Sequence, residues 1–252
     1  FVLQSWVPEH TELIALFSML VSVARLARSP TYKEQVKELH LEPSLGLLAY
    51  PVLQAADILA YRADTVPVGD DQMPHIEVTR DLARRFNALY GSIFPEPRGL
   101  LSEMPRLPGL DGRTMHNSYG NTIPLSAPAG EVAARIRRMI TDPGRVHSHD
   151  PGTPQVCAAF AYYSAFLPGL ADSVAGECRS AAIGCVPCKE RLAQALVQKL
   201  THFRAKRQEL ESRPEVIWEI LREGSSRARL VASETLVAAK KAMRLAYGTY
   251  AT

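Results

Sequence analysis

Apolar residues recur at helical spacing through most of this chain, with polar residues in the positions between them. Between residues 9 and 26 the apolar positions include Leu13, Leu16, Leu20 and Val23, which is the period of one helix face. The same period predicts helices over residues 47–61, 71–89, 130–140, 154–166, 188–212 and 226–247. Most of the chain is therefore expected to be helical.

Two short apolar stretches interrupt the helical pattern and predict buried strands, at residues 1–4 (FVLQ) and 65–68 (TVPV). The sequence Gly-Asp-Asp at 69–71 then supplies a turn and the N-cap of the next helix. Strand, turn and helix in this order form half of an α/β unit, whose ligands lie beyond the carboxyl ends of the strands. We expect an α/β domain over residues 1–125. A helical domain is expected over residues 126–252, with its last helices free to pack back on the first domain.

Composition excludes several classes of protein. Of the 252 residues, 46% are hydrophobic and 22% are charged, as in folded globular proteins and unlike disordered ones. The longest apolar stretch, residues 13–24, is too short to span a membrane. No secretory signal pattern opens the chain, and 4 cysteines are too few for a disulfide scaffold. A cytoplasmic protein without a membrane partner is expected.

Positive charge is concentrated toward the C-terminus. The whole chain carries +3, whereas residues 189–252 hold 13 Lys and Arg against 7 Asp and Glu, a balance of +6. This asymmetry indicates a polyanion partner, with Arg204, Lys206 and Arg207 among the candidate phosphate contacts. The alternative is a helical surface that is rich in Lys and Arg without a partner.

The segment YPVLQAADILAY carries the first candidate chemistry. On a helix Tyr50, Gln54 and Asp57 fall at i, i+4 and i+7, hence on one face. Asp57 stands among apolar neighbours, and a buried carboxylate must find a hydrogen-bond donor. That donor is either a group of a neighbouring helix or a ligand N–H.

Two later segments are weaker signals when each is taken alone. In VPVGDDQMPH a glycine after a buried strand allows a phosphate or ribose to approach the backbone, and Gln72 projects into the same crevice. A plain turn is the alternative there. The segment PGLDGRTMHNSYGNTI at 108–123 has no strong periodicity and alone predicts a mobile surface loop.

The cysteines form a cluster in the sequence. Their spacings of 20, 6 and 2 intervening residues end in a C-x2-C pair, which indicates a metal site in a reducing compartment. Four sulfur ligands suit Zn²⁺ or an iron–sulfur cluster, and spacing does not separate them. Unrelated buried thiols are the alternative. The residues are Cys157, Cys178, Cys185 and Cys188.

Taken together and in this order, these segments resemble the bacterial tryptophanyl-tRNA synthetases, a family of class I aminoacyl-tRNA synthetases. The matching segments are YPVLQAADILAY, VPVGDDQMPHIEVTRDLARRFN and LPGLDGR followed by YGNTI, with FVLQSWVPEHTEL, SPTYKE, TDPGRV and VAAKKAMRLAY around them. The resemblance implies a Rossmann-like catalytic domain followed by an all-helical domain. It also implies a homodimer that binds ATP with Mg²⁺, L-tryptophan and tRNA-Trp, whose anticodon the helical domain reads.

The resemblance also implies roles for individual residues. Asp57 accepts the indole N–H, Tyr50 and Gln72 hold the amino-acid ammonium, and Gln54 lines the pocket wall. The remaining implied contacts are Val66 and Val68 beside the ring, Gly69, Asp70 and Asp71 at the ATP ribose, and Leu107 at the adenine. A subset of the family carries a [4Fe–4S] cluster on a similar four-cysteine motif whose first gap is two residues longer. This favours the cluster over Zn²⁺.

The sequence departs from the family pattern in two places. No HIGH-like motif occurs, and the chain begins about where the third strand of the family is expected, as in an incomplete record or a natural fragment. The loop that matches KMSKS reads Thr114, Met115, His116, Asn117 and Ser118, so both lysines that neutralise phosphate charge are replaced. The implied activity is that of a tryptophan–tRNA ligase. The alternative is a catalytically impaired paralogue that binds tryptophan or tRNA without aminoacylation.

Overall fold

The chain folds into two compact units. The structure, a computed structural model, describes residues 1–38, 42–102, 104, 106–115 and 119–245. The first unit comprises residues 1–105 and 215–252, and the second comprises residues 106–214. The predicted domain boundary lies at residue 125, whereas the unit boundary follows residue 105. The C-terminal residues join the first unit, as the prediction allowed for the last helices.

Helices make up most of both units. In chain order they are α1 (Glu9–Ser18), α2 (Val23–Ala27), α3 (Pro30–Glu38), α4 (Leu45–Leu59), α5 (Met73–Tyr90), α6 (Ala129–Arg137), α7 (Ala158–Phe166), α8 (Pro168–Arg179), α9 (Cys185–Lys199), α10 (Thr201–Glu211) and α11 (Pro214–Ala242). Short 3-10 helices lie at Gln4–Trp6, Asp70–Gln72 and Pro154–Val156. None of the helices described is long and apolar enough to cross a membrane.

The core of the first unit lies where α1, α4 and α5 meet. Phe94 packs edge-on against Phe17 and Phe86, with ring centroids 5.4 and 4.8 Å apart. Helix α11 adds Ala232 and Leu236 to the same buried cluster. Its outer face is tied to α1 by two ion pairs, Arg229–Glu9 at 3.1 Å and Lys240–Glu12 at 2.6 Å. The C-terminal helix therefore belongs to the first unit.

Two parallel strands, β1 (Thr65–Pro67) and β2 (Arg98–Leu100), form the sheet of the first unit. Val66 pairs with Gly99 in this register. A Cβ added to Gly99 would lie 2.5 Å from the sulfur of Met73, so glycine at this position leaves room for the Met73 side chain of α5 against the sheet. The strand–turn–helix unit predicted around residue 69 is confirmed, and Gly69 lies just beyond the carboxyl end of β1.

The second unit packs α6 against α9 around a separate core. Tyr163 is fully buried there and donates a hydrogen bond of 2.8 Å to the Cys188 carbonyl. The Lys189 ammonium caps the C-terminus of α6 by donating to the carbonyls of Arg137 (2.8 Å) and Met139 (3.1 Å). Such a cation at a helix C-terminus satisfies carbonyls that have no partner within the helix.

Some elements differ from their predictions. The strand expected at residues 1–4 is wrong, because this segment leads into a 3-10 helix and Phe1 is 94% exposed. The helix expected over residues 9–26 is two helices, since the Ser22 hydroxyl accepts a hydrogen bond from the Arg25 N–H and caps α2. The helix expected over 188–212 is likewise divided into α9 and α10.

Candidate functional site

One face of α4 carries the polar residues that the sequence singles out. Tyr50, Gln54 and Asp57 lie on this helix, as their spacing predicts. Tyr50 is exposed, and the Asp57 side chain is 37% exposed. The Oε1 atom of Gln54 is buried and has no hydrogen-bond partner among the described residues. This buried acceptor lies between two accessible polar side chains, and a ligand that donates a hydrogen bond could satisfy it.

The Asp57 carboxylate is held from the side of α1. Gln4 Nε2 donates to both carboxylate oxygens, at 2.9 Å each. His10 Nδ1 lies 3.2 Å from Asp57 Oδ1, within ion-pair distance, although its direction of approach is not that of a hydrogen bond. The other ring nitrogen of His10 is hydrogen-bonded to the Tyr61 hydroxyl at 2.8 Å. Burial, with the nearby charges of Asp57 and Glu9, raises the pKa of Tyr61 and keeps it protonated.

A second polar group surrounds the other end of the same helix face. The buried His75 ring lies edge-on to Tyr50, with centroids 5.7 Å apart, and its Nδ1 has no partner among the described residues. Burial lowers the pKa of His75, which the Asp71 carboxylate partly offsets. Gln72 donates a hydrogen bond of 2.7 Å to Asp71. His75 therefore contacts Tyr50 and also lies near Asp71, so it connects Tyr50 with the turn after β1.

The residues of β1 and its turn provide a half-buried apolar wall and an exposed polar end. Val66, Val68 and Gly69 are half-buried, whereas Asp70 is exposed. The Val68 N–H donates to the Leu100 carbonyl at 3.1 Å, which extends the pairing of the two strands past β1. The turn that follows lies at the carboxyl end of this strand, which is where α/β sheets bind their ligands.

The loop that follows residue 106 belongs to the second unit. Thr114 forms a bridge with Pro108, and its carbonyl accepts a hydrogen bond of 3.1 Å from Asn121 Nδ2. Leu107 and Met115 pack against the core of this unit. The other three residues of the predicted catalytic loop, His116, Asn117 and Ser118, lie outside the described residues. The predicted ATP contacts are thus divided between the two units.

A cavity of about 610 Å³ lies between this loop and α6. Asp111 on its wall has its pKa lowered to about 2, mainly because Asn121 donates a hydrogen bond to it and further because Arg113 does. Arg113 also lies over the Tyr119 ring, 4.9 Å from its centroid. Arg138 contributes an exposed cation to the same cavity. These contacts fix the base of the loop.

The four cysteines are free, half-buried thiols at helix ends of the second unit. Burial, together with the nearby thiols of the other three cysteines, raises the pKa of Cys188 to about 11. Gly152 lies against Cys178, where an added Cβ would be 2.5 Å from the sulfur, and Arg145 Nη1 is 3.9 Å from the same sulfur. Among the described residues no group of three or more His, Cys, Asp or Glu is arranged to hold a metal ion as it stands.

The predicted phosphate contacts on α10 already have partners. Lys206 and Arg207 pair with acids of their own helix, Glu209 at 2.8 Å and Glu211 at 2.7 Å, and both cations are mostly exposed. Arg204 is half-buried instead and donates a hydrogen bond of 2.6 Å to the Val197 carbonyl at the end of α9. Exposed pairs of the first kind exchange readily for a phosphate, whereas the Arg204 contact is structural.

Sequence reasoning did not single out Gln4, His10, Tyr61 or Asn121. The first three contact Asp57 or one another over separations of 47 to 53 residues, which no local pattern encodes. Asn121 is 4% exposed, and burial of an amide is not visible in a polar loop sequence. The one available signal was a histidine and a glutamine beside apolar residues in FVLQSWVPEH.

Comparison with known proteins gives a consistent result. Residues 1–201 match the family model of the class I tRNA synthetases for W and Y. The tryptophan–tRNA ligase of Thermotoga maritima is 47% identical over 248 residues, covering 97% of this chain and 76% of the relative. The tryptophan–tRNA ligase of Aquifex aeolicus is 46% identical, covering 80% of this chain and 52% of the relative.

Solved structures agree with the sequence comparison. The tryptophanyl-tRNA synthetase of Campylobacter jejuni in complex with ADP and tryptophan superposes with a TM-score of 0.79 at 32% identity. The match covers 97% of this chain and 76% of that one. The tryptophanyl-tRNA synthetase of Mycoplasma pneumoniae superposes with a TM-score of 0.80 at 26% identity over the same shares.

Proposed function

The chain belongs to the tryptophanyl-tRNA synthetase family of class I, and from this premise we propose that it joins L-tryptophan to tRNA-Trp in two steps. First, the carboxylate of tryptophan attacks the α-phosphorus of ATP, which forms Trp-AMP and releases pyrophosphate. A terminal hydroxyl of tRNA-Trp then attacks the acyl carbon, and AMP leaves. No side chain has to act as a nucleophile, so the protein must position the reactants and stabilise charge, together with the Mg²⁺ that accompanies ATP.

The Asp57 carboxylate carries this proposal. It is 37% exposed on the helix face that also bears Tyr50 and Gln54. An indole N–H is a donor only and a carboxylate is an acceptor only, so the two are complementary. A site built to accept an N–H rejects side chains that lack it, because its polar group would then stay unpaired. We assign Asp57 to the indole N–H.

The other tryptophan contacts follow from the same face and the turn beyond β1. Tyr50 and Gln72 would hold the ammonium group, and the ring of His75 lies against Tyr50. Gln54 has an unpaired buried oxygen, which suits a pocket wall that faces a polar ligand. Val66 and Val68 are half-buried, as the walls beside an aromatic ring should be.

The ATP contacts are proposed from the turn and from the loop of the second unit. Gly69, Asp70 and Asp71 follow the carboxyl end of β1, the position where α/β sheets bind nucleotides. Leu107 is proposed for a backbone contact to the adenine. The loop of residues 114–118 matches the phosphate-binding KMSKS loop of the family, although it carries no lysine.

Pyrophosphate exchange tests the proposal directly. The chain should exchange labelled pyrophosphate into ATP with tryptophan and not with phenylalanine or tyrosine, and it should charge tRNA-Trp. An Asp57→Ala variant should lose tryptophan binding, whereas Asp64→Ala, which removes an exposed carboxylate of the same unit, should not. Tryptophan binding without exchange would favour the catalytically impaired paralogue. The replacement of both loop lysines supports that alternative. Absence of both would overturn the proposal.

Assembly and location are proposed on the same family premise. We propose a homodimer that acts in the cytoplasm, with tRNA reaching the exposed cations Lys206 and Arg207 on α10. Sedimentation at micromolar concentration checks the dimer, and a monomer would contradict it. The anticodon-reading role of the second unit is part of the same proposal.

We also propose a [4Fe–4S] cluster on the four cysteines, with Zn²⁺ as the alternative. The donor chemistry supports this proposal, because four free thiols stand at helix ends of one unit and the Arg145 cation lies beside the Cys178 sulfur. Glycine at position 152 leaves room at the Cys178 sulfur. When bound, a cluster of this kind would serve as a structural cross-link of the helices or as an electron carrier.

Metal analysis separates these possibilities. Anaerobically purified protein should be brown and contain about four iron and four sulfide per chain. One zinc per chain in a colourless protein would support the alternative. Absence of both iron and zinc would show that the four cysteines are ordinary thiols. Replacing Cys185 and Cys188 with serine should abolish the bound metal.

A further inference from the structure

Asp57 is the end of a chain of contacts that begins at Tyr61. The Tyr61 hydroxyl is hydrogen-bonded to His10 Nε2 at 2.8 Å, and His10 Nδ1 lies 3.2 Å from Asp57 Oδ1. The His10 ring is 4% exposed and stands perpendicular to the Tyr61 ring, with centroids 5.4 Å apart. Burial and this edge-on contact leave the imidazole little freedom to turn.

The two oxygens of Asp57 are not equivalent. Oδ1 accepts from Gln4 and also faces His10, whereas Oδ2 accepts from Gln4 alone. A carboxylate oxygen has two lone pairs, so Oδ2 keeps one available. The Asp57 side chain is 37% exposed, so an incoming donor can approach its carboxylate.

We infer that His10 and Tyr61 are positioning residues, which fix the Asp57 carboxylate so that Oδ2 receives the indole N–H of tryptophan. This inference rests on the proposed function. A carboxylate neighbour favours the imidazole tautomer with its proton on Nδ1, and Nε2 then accepts the proton of the Tyr61 hydroxyl. The contact between His10 and Asp57 is not yet aligned as a hydrogen bond, and such contacts commonly tighten when the ligand binds.

A pair of ligands tests this role more sharply than tryptophan alone. In 3-(3-benzothienyl)-L-alanine a sulfur replaces the indole N–H, and the ring shape is almost unchanged. A residue that acts through Asp57 affects only the ligand that donates an N–H to it. A residue that merely supports the fold affects both ligands alike.

The variants are Tyr61→Phe, which removes one hydroxyl, and His10→Phe, which keeps a buried ring without nitrogens. Dissociation constants of the chain for both ligands would be measured by calorimetry. Tyr61→Phe should weaken tryptophan binding about 5-fold, and His10→Phe at least 10-fold, in line with loss of one hydrogen bond or of a contact to a charged group. Binding of the benzothienyl ligand should change by less than about 2-fold.

Tyr90→Phe is the matched control, because it removes a tyrosine hydroxyl from α5 that has no hydrogen-bond partner among the residues the structure describes. It should leave both ligands unchanged. If Tyr61→Phe leaves tryptophan binding unchanged, or weakens both ligands equally, the inference is overturned. If the His10→Phe variant folds, the same two outcomes apply to it. If it does not fold, the Tyr61→Phe variant alone decides the question.

The proposed function fails in a different way from this inference. If the wild-type chain binds both ligands equally and Asp57→Ala affects them equally, Asp57 is not the acceptor of the indole N–H. If Asp57→Ala lowers tryptophan binding selectively and Tyr61→Phe does not, only the positioning role is wrong.

Discussion

The Asn121 amide donates a hydrogen bond of 2.9 Å to the Asp111 carboxylate, ten residues earlier in the chain. The same side-chain amide donates to the Thr114 carbonyl at 3.1 Å. The backbone carbonyl of Asn121 accepts a hydrogen bond of 2.9 Å from the Leu110 N–H. One buried side chain therefore joins both ends of the loop that matches the catalytic loop of the family. The side chain fills the space beside Gly109, where an added Cβ would overlap it.

Asn121→Ala should loosen this loop and destabilise the second unit. It removes one donor from the Asp111 carboxylate, which keeps those of Arg113, and the side-chain donor of the Thr114 carbonyl, so a loss of about 1–3 kcal/mol in the free energy of unfolding is expected. Urea denaturation monitored by circular dichroism would measure it. Ser148→Ala, in an exposed loop of the same unit, should change stability by less than about 0.5 kcal/mol. Equal stability of Asn121→Ala and wild type would refute the linking role of Asn121.

Asp111 also predicts a pH dependence of stability. Its pKa is lowered from 3.8 to about 2, chiefly by the hydrogen bond from Asn121. A carboxyl whose pKa is lower in the folded state stabilises the fold above its unfolded pKa, and this stabilisation is lost as pH falls through the folded pKa. The contribution of Asp111 should therefore disappear between pH 3.8 and pH 2.

Comparison of wild type with Asp111→Asn isolates this contribution, because other carboxyls titrate in the same range. The two stability curves should converge as the pH falls through this window. Parallel curves would show that the carboxyl is not held in its charged form by Asn121. An NMR titration of the Asp111 carboxyl gives an independent reading of its pKa.

Helix periodicity predicted most of the fold because burial repeats along one face of each helix. It placed Tyr50, Gln54 and Asp57 on one helix correctly, since the i, i+4, i+7 relation is local. It missed β2, since Arg-Gly-Leu has little strand propensity and forms a strand only through pairing with β1. The same limit applies to Asp57: its neighbours in space lie about fifty residues away, so their roles emerge only after folding.

The breaks in predicted helices have a similar cause. Ser22 interrupts a continuous apolar period because its hydroxyl accepts a backbone hydrogen bond and caps a new helix. This local hydrogen bond competes with the backbone hydrogen bonds of one continuous helix. Arg204 is a comparable case at the side-chain level. Charge alone predicted a phosphate contact, whereas its hydrogen bond to the Val197 carbonyl makes it a helix cap.

Restoring positive charge to the catalytic loop should increase the rate of tryptophan activation. In the family the two lysines at positions matching Thr114 and Asn117 neutralise the phosphates, and here neither residue carries charge. One preorganised group that stabilises developing charge is commonly worth about 10²–10³ in rate. Thr114→Lys combined with Asn117→Lys should therefore raise pyrophosphate exchange by at least about 10².

A gain of this size needs a control for added charge elsewhere. Gln155→Lys places a cation on an exposed position of the same unit and should leave the exchange rate unchanged. An unchanged rate in the double-lysine variant would show that these two positions do not limit the activation step. A gain in both variants would attribute the effect to the net charge of the protein.

Salt dependence should identify the cations that meet tRNA. Lys206 pairs with Glu209, whereas Arg207 pairs with Glu211 and also donates a hydrogen bond of 3.0 Å to the Ser126 hydroxyl. Exposed contacts of this kind contribute little, so phosphate can replace them at small cost. Each phosphate contact contributes about 0.7–0.9 to the slope of log affinity against log salt concentration. Lys206→Ala combined with Arg207→Ala should weaken tRNA-Trp binding and reduce that slope by about 1.4–1.8, in fluorescence titrations at several salt concentrations.

Two further variants separate contact from net charge and from stability. Arg62→Ala combined with Arg85→Ala removes the same charge from exposed positions of the first unit and should leave the slope unchanged. Arg204→Ala should lower the unfolding free energy, because the Val197 carbonyl loses its charged donor and keeps only the Thr201 hydroxyl as a side-chain donor, while affecting the slope less than the Lys206 and Arg207 changes. A slope that responds to Arg204 alone would place the tRNA contact at the junction of α9 and α10 and not along the exposed face of α10.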